Sequence, residues 1–153
     1  MQSFNMVKKM TVINLTVIFF IGLDRFFKAL VFNNQASEFN LFGEVFKVSY
    51  KSNYYIAFSL PLAGKFSAVL IILAIIILIL LGLYYAKKLQ TGKAAALFLI
   101  IIGASSNLFD RLKYGFVIDY LDLKYFTVFN LADVMIIVGI FLLFLNVNKK
   151  QAG

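Results

Sequence analysis

The run from Phe66 to Tyr85 holds twenty residues without one charged side chain, and it constrains the fold more than any other feature. At about 1.5 Å per helical residue, such a run matches the roughly 30 Å hydrocarbon core of a bilayer. Apolar runs also cover residues 10–32 and 130–147, and another begins at residue 94. The hydrophobic content of 62% exceeds the roughly 45–50% of soluble domains. The sequence therefore predicts a single membrane domain over residues 1–153.

Four transmembrane helices are predicted, at 10–32, 66–85, 94–111 and 130–147. Seven lysines with no acidic residue among them lie at both ends of the chain and near residue 90. The positive-inside rule then places both termini and the loop near residue 90 in the cytoplasm. The loops 33–65 and 112–129 face outward. This topology accounts for the net charge of +8, so nucleic acid is not predicted as a partner.

The first outer loop contains a strand pattern. Phe46, Val48 and Tyr50 alternate with Lys47, Ser49 and Lys51. This two-residue period is typical of a half-buried β-strand. The predicted fold is therefore an all-α membrane protein with four transmembrane helices and a small extracytoplasmic β-sheet between helices one and two.

Polar residues of three predicted helices lie at one depth. On ideal helices, Asp24 lies ~22 Å from Lys9, Asn107 ~21 Å from Lys93, and Asp133 ~24 Å from Lys149. A charge at the centre of a membrane helix costs about 2.5–3.5 kcal/mol, and less toward the interface. The shared level indicates a polar site near the outer edge of the membrane.

The residue types limit the chemistry of such a site. The chain has no cysteine and no histidine, which removes thiolate nucleophiles and the side chain that most often acts as a base near neutral pH. Acid–base work falls to carboxylates, lysines or tyrosines. Asp119, in an apolar surrounding from Phe116 to Leu121, and Asp133 are predicted to form a two-carboxylate site. No cofactor and no metal are predicted.

Simpler interpretations of these residues remain open from the sequence alone. Asp24 and Lys28 fit a helix-end ion pair that reaches toward the interface. Asn130 and Asp133 fit a helix N-cap followed by an acid in the first turn. Asp110 and Arg111 fit a local pair at the end of helix three, and Asp122 fits a solvated loop acid.

Five stretches in this order resemble the lipoprotein signal peptidases, the signal peptidase II family of bacterial membrane aspartyl proteases. They are DRFFK from Asp24 to Lys28, NYYIAF from Asn53 to Phe58, GASSNLFDR from Gly103 to Arg111, VIDY around Asp119, and FNLAD from Phe129 to Asp133. The third and fifth are long enough to be specific. Two positions depart from the family pattern: Tyr55 stands where the family usually has glycine, and Phe27 where it usually has threonine or serine.

The resemblance implies an aspartic endopeptidase that cleaves a prolipoprotein just before its diacylglyceryl-modified cysteine. It implies that Asp119 and Asp133 are catalytic. It further implies a set that binds substrate and orients the pair, which is Asn53, Asn107, Arg111 and Asn130. Supporting roles fall to Asp24, Lys28, Gly103 and Asp110.

The resemblance also sets the cellular context. The expected partners are the lipid-modified prolipoprotein and membrane lipid, and the protein is expected to act as a monomer. The expected location is the bacterial cytoplasmic membrane, with the active site at the outer leaflet.

Two carboxylates held close together share one proton, because both cannot ionise cheaply. Asp133 is predicted to be the ionised member, since the positive end of helix four lies beside it. The competing hypotheses are a four-helix proton-coupled transporter and a non-catalytic membrane scaffold. A transporter is disfavoured because relay acids would line a path across the membrane, whereas every acid here lies on the outer side.

Overall fold

The computed structural model of the chain describes residues 2–55 and 65–148. The end of the NYYIAF stretch, Lys149 and Lys150 lie outside the described residues. Four helices and four strands follow one another in the order α1, β1, β2, α2, α3, β3, β4, α4. The helices are α1 Gln2–Asn33, α2 Lys65–Lys87, α3 Thr91–Tyr114 and α4 Leu131–Asn148, and the strands are β1 Phe39–Phe42, β2 Phe46–Asn53, β3 Val117–Leu123 and β4 Val128–Phe129.

Two of the described helices are long and apolar enough to cross a membrane. They are the Ala68–Lys87 segment of α2, with a mean hydropathy of 3.0, and α3, with a mean hydropathy of 1.5. Large apolar side chains along α2 point away from the rest of the protein, among them Ile77 and Leu80. Leaving such side chains exposed is favourable in lipid and costly in water. The chain is therefore a mostly helical protein of membrane character with a small sheet.

The sheet is antiparallel, with strand order β1-β2-β3-β4. The alternating segment predicted as a strand corresponds to β2, which pairs with β3 through Phe46↔Leu123 and Asn53↔Val117. The sheet is thus larger than predicted, because half of its strands come from the loop between α3 and α4. Strand β3 escaped detection because Val117, Ile118 and Tyr120 are all buried, and strands buried on both faces lack a polar–apolar alternation.

Helices α3 and α4 pack closely through glycine. A Cβ added at Gly103 would lie 2.5 Å from the carbonyl oxygen of Ala132, and one added at Gly139 would lie 2.5 Å from the side chain of Ile100. Small residues at helix contacts let two backbones approach, which is how many membrane helices associate. At Gly103, this contact places the C-terminal half of α3 directly beside the first turn of α4.

A small apolar cluster joins the sheet to the end of α1. It is formed by the buried residues Val31, Val48, Ile118 and Tyr120. The ring of Phe27 stacks on the ring of Tyr120, with 5.6 Å between the ring centroids and 25° between the planes. Phe27, one of the two residues that differ from the family pattern, therefore places an aromatic ring in the contact between α1 and the sheet.

Candidate active site

Strands β2 and β3 carry the first carboxylate of the site. Asp119 lies on β3 and is 1% exposed. Its Oδ2 accepts a hydrogen bond of 2.9 Å from Asn53 Nδ2, at the end of β2. Its Oδ1 accepts one of 2.6 Å from Asn130 Nδ2. Strand pairing therefore holds Asp119 beside one predicted asparagine, and the segment before α4 supplies the other.

The first turn of α4 carries the second carboxylate. The backbone N–H of Asp133 donates to Asn130 Oδ1 at 2.9 Å, and the backbone N–H of Asn130 donates back to Asp133 Oδ2 at 3.2 Å. This reciprocal pair is a capping box with aspartate at the third helical position. Asn107 Nδ2 donates to the remaining oxygen, Asp133 Oδ1, at 2.7 Å. The N-cap interpretation is therefore confirmed, and it is compatible with a two-carboxylate site.

Asn130 contacts both carboxylates. Its side-chain amide donates to Asp119 and its backbone N–H donates to Asp133, and the residue is fully buried. Each of the four carboxylate oxygens accepts a hydrogen bond from an amide N–H. Within residues 2–55 and 65–148, neither carboxylate lies within salt-bridge distance of a lysine or arginine. Neutral donors alone orient this pair.

Burial, and after it the negative charge of Asp133, raises the pKa of Asp119 to about 6. The hydrogen bonds from Asn53 and Asn130 and the positive charge of Lys28 act in the opposite direction. Burial penalises the charged form of a carboxyl group, as does a nearby charge of the same sign. Asp119 can therefore carry a proton at mildly acidic pH, as an acid in acid–base chemistry requires.

A second polar cluster lies next to the pair, and its charged groups form salt bridges. Lys28 Nζ pairs with Asp24 at 3.1 Å and with Asp110 at 2.8 Å, and all three side chains are fully buried. Arg25 pairs with the other oxygen of Asp110 at 2.5 Å. Two cations therefore balance two anions inside the protein. The interface-reaching interpretation of Asp24 and Lys28 is wrong, because neither side chain meets the surface.

One asparagine links the two clusters. Lys28 Nζ donates to Asn107 Oδ1 at 2.9 Å, and the amide nitrogen of Asn107 donates to Asp133. The lysine thereby fixes which way the Asn107 amide points, because its oxygen must face the ammonium. Asn107 consequently presents a donor to Asp133.

Arg111 binds backbone carbonyl groups. Its guanidinium donates to the carbonyl oxygen of Tyr55 at 2.9 Å and to that of Asn107 at 3.4 Å. The N–H of Tyr55 donates to Asn53 Oδ1 at 3.0 Å, which orients the Asn53 amide toward Asp119. The local Asp110–Arg111 pairing is wrong, since Asp110 pairs with Arg25 and Lys28 instead. Asp122, which the sequence alone allows to be a solvated loop acid, accepts a hydrogen bond from Ser49 at 3.3 Å.

Three residues of these clusters were not predicted from the sequence. Ser106 donates to Asp24 at 2.6 Å, Arg25 pairs with Asp110, and the Tyr120 hydroxyl donates to Asp24 at 3.3 Å. A signal was present for Arg25, which lies beside Asp24 inside an apolar run. Tyr120 gave none, because a tyrosine next to a strand aspartate is unremarkable in sequence. Among the described residues, no group of three or more metal-ligating side chains occurs.

The sequence is similar to that of known proteins over most of its length. The sequence profile of signal peptidase II matches residues 16–149. The lipoprotein signal peptidase of Clostridioides difficile is 37% identical over 131 residues, which cover 82% of this chain and 86% of that protein. The lipoprotein signal peptidase of Halothermothrix orenii is 34% identical over 139 residues, which cover 90% of this chain and 95% of that protein.

The fold has a counterpart among solved structures. A bacterial membrane enzyme solved by the in meso method at 2.3 Å resolution superposes with a TM-score of 0.78 at 22% identity, covering 92% of this chain and 90% of that one. The sequence profile and the two named relatives identify the same family. The chain belongs to the signal peptidase II family.

Proposed function

We propose that this chain is an aspartic endopeptidase that removes the signal peptide of diacylglyceryl-modified prolipoproteins, cutting before the lipidated cysteine. The observation that carries the proposal is the contact of Asn130 with both Asp119 and Asp133. One buried residue holds two carboxylates from different segments, and within the described residues no lysine or arginine forms a salt bridge with either of them. Family membership supplies the substrate class.

The carboxylates have different roles in the proposed mechanism. Asp133 is the ionised member, because it lies in the first turn of α4, where the helix dipole and two N–H donors stabilise negative charge. Asp119 holds the shared proton, consistent with its raised pKa. Asp133 takes a proton from a water molecule, whose oxygen attacks the scissile carbonyl. Asp119 donates its proton to that carbonyl oxygen.

Collapse of the tetrahedral intermediate completes the reaction. The leaving amine takes a proton from the carboxyl group of Asp133, and the gem-diol returns one to Asp119 as the new carboxyl group forms. Each aspartate thereby recovers its starting state. The scheme uses only the two carboxyl groups and one water molecule.

The substrate backbone is bound by the polar groups around the pair. Arg111 has five N–H donors and already holds backbone carbonyl oxygens, which suits it to bind an extended peptide. Asn53 and Asn107 line the same site and orient the carboxylates. Tyr55, with 53% of its surface exposed, borders the site and narrows the space available to substrate side chains.

The membrane arrangement is part of the proposal. Four helices span the cytoplasmic membrane of a bacterium, with both termini in the cytoplasm and the sheet outside. The paired aspartates then lie at the outer leaflet, where water reaches them while the diacylglyceryl group of the substrate stays in lipid. The protein acts as a monomer and needs no partner besides substrate and membrane lipid.

Cleavage by the purified protein in detergent tests the proposal. Diacylglyceryl-modified prolipoprotein and its unmodified form are incubated with wild type, Asp119→Asn and Asp133→Asn, and cleavage is followed by gel shift. We expect cleavage of the lipidated substrate only, and loss of cleavage in both variants. Cleavage that survives in either variant would refute the paired mechanism. If wild type and Tyr55→Gly both leave a competent substrate intact, the peptidase assignment fails and proton transport becomes the hypothesis to test.

A further inference from the structure

The first turn of α4 has three backbone N–H groups without a partner inside the helix, and each donates to a side chain from a different segment. Leu131 N–H donates to the Tyr120 hydroxyl at 3.2 Å, and Ala132 N–H to Asp24 Oδ1 at 3.2 Å. Asp133 N–H donates to Asn130 Oδ1 at 2.9 Å. Helix N-termini usually leave such groups to water or to one capping residue. Here the three acceptors come from β3, from α1 and from the cap residue Asn130.

The hydroxyl of Tyr120 is fixed on both sides. It donates to Asp24 Oδ1 at 3.3 Å while it accepts from Leu131 N–H. The residue is 1% exposed, and its ring stacks on Phe27. Burial, followed by the charge of Asp24, raises the pKa of Tyr120 above its usual value, so the phenol stays neutral and keeps its donor. A phenylalanine could fill the same space but could make neither hydrogen bond.

We propose that Tyr120 is a positioning residue of the catalytic pair, whose hydroxyl fixes the first turn of α4, and with it Asp133, relative to the strand that carries Asp119. The inference rests on the proposed function for its kinetic consequence. Tyr120 follows Asp119 directly in β3, and Leu131 precedes Asp133 by two residues. One side chain therefore connects the two segments that carry the carboxylates, independently of Asn130.

The connection also reaches the buried ion cluster. Asp24 accepts from Tyr120 and from Ala132 with the same oxygen, while its other oxygen accepts from Ser106 and pairs with Lys28. Asp24 of α1 thereby fixes the position of α4 along its axis. The helix dipole favours an anion at this N-terminus of α4. Without the Tyr120 hydroxyl, the partly buried N–H of Leu131 loses its acceptor, and the turn must shift or admit water to satisfy it.

Steady-state kinetics of Tyr120→Phe test the proposal, with Tyr50→Phe as the matched control from the same apolar cluster. We expect kcat to fall about tenfold, as the loss of roughly one well-made hydrogen bond predicts, with KM changed less than twofold. Tyr50→Phe should keep both constants. A Tyr120→Phe enzyme with wild-type kcat and an unchanged pH profile would overturn the proposal.

A second measurement is independent of cleavage. Infrared spectroscopy between pH 4 and 8 follows the protonated carboxyl band, and the band assigned to Asp119 is the one missing in Asp119→Asn. The groups that act on Asp119 are Asp133, Lys28, Arg111, Asn53 and Asn130. In Tyr120→Phe, a displaced Asp133 and entering water both lower the midpoint, by about one pH unit. An unchanged midpoint would overturn the inference whether or not the protein is a peptidase.

A backbone variant covers the case in which Tyr120→Phe fails to fold. Leu131→Pro removes the N–H that donates to the Tyr120 hydroxyl, at the first helical position, where proline is favoured. Leu131→Ala is its control, because it loses the same side-chain packing but keeps the N–H. We expect the Asp119 midpoint and kcat to fall in the proline variant relative to the alanine variant. Equal values in the two variants would refute a role for this hydrogen bond.

Discussion

Two clusters of buried acids lie side by side in this protein and are stabilised in opposite ways. Asp24 and Asp110 are paired with Lys28 and Arg25 at 2.5–3.1 Å. Asp119 and Asp133 receive only neutral amide donors. Burying a charge is tolerable when an opposite charge and hydrogen bonds accompany it. The first cluster meets that condition and suits a structural role. The second does not, and its members suit proton exchange.

The same substitution should therefore have different effects in the two clusters. Asp119→Asn should lower the cleavage rate by about 10²–10⁴-fold, the usual contribution of general acid–base catalysis, while the melting temperature stays within a few degrees of wild type. Asp110→Asn should instead destabilise the protein, because Lys28 and Arg25 keep their charges with one anion fewer. Cleavage assays and thermal unfolding in detergent compare them. Equal loss of stability in the two variants would contradict the assignment of a structural role to one cluster only.

Removal of Lys28, the cation shared by Asp24 and Asp110, should strongly destabilise the protein. Lys28→Met leaves Asp24 and Asp110 buried with their shared ammonium gone, and we expect a loss of about 3–5 kcal/mol in the free energy of unfolding. Lys47→Met is the control, since its pair with Glu38 is partly exposed and 3.7 Å long; we expect a change within about 0.5 kcal/mol. Denaturant unfolding measures both, and a small effect at Lys28 would contradict the buried-charge account.

The close contact of α3 with α4 connects the two clusters, and Gly103→Ala tests it. The added methyl group meets the backbone oxygen of Ala132 at 2.5 Å, and overpacking of this kind costs about 1–3 kcal/mol. Separation of the helices also weakens the Asn107–Asp133 hydrogen bond, so kcat should fall too. Gly22→Ala, where no atom lies within 4 Å of the added group, serves as control. Wild-type stability and rate in Gly103→Ala would refute this account.

The pH profile gives the smallest and most specific test. Because the proposed mechanism needs a protonated Asp119, whose pKa burial raises to about 6, we expect kcat/KM to decline as pH rises above about 6. Asn53→Ala removes a hydrogen bond that favours the charged form of Asp119. The pKa of Asp119 then rises, and the decline in kcat/KM moves to higher pH by about half to one pH unit.

Ser52→Ala, the neighbouring substitution, should leave the position of this decline unchanged. Kinetics from pH 5 to 9 give both profiles. A decline that moves to lower pH in Asn53→Ala would show that the assigned protonation states are reversed.

Much of the site was predictable because local patterns report local requirements. Asn130 and Asp133, for example, have the spacing of a helix cap. The pairing partners were not predictable. Asp110 lies next to Arg111 in sequence yet pairs with Arg25 and Lys28 of another helix, since its side chain points into the bundle. Strand β3 was missed because burial on both faces leaves no alternation to detect.

By itself, the sequence determined the membrane character of this protein, its helices, its lack of histidine and cysteine chemistry, and its five family stretches. These follow from residue type and spacing along one segment. Only the tertiary structure decided which buried acids are balanced by cations and which are held by amides alone. That distinction depends on distances between side chains far apart in the chain, such as Asp119 and Asn53, and packing sets those distances.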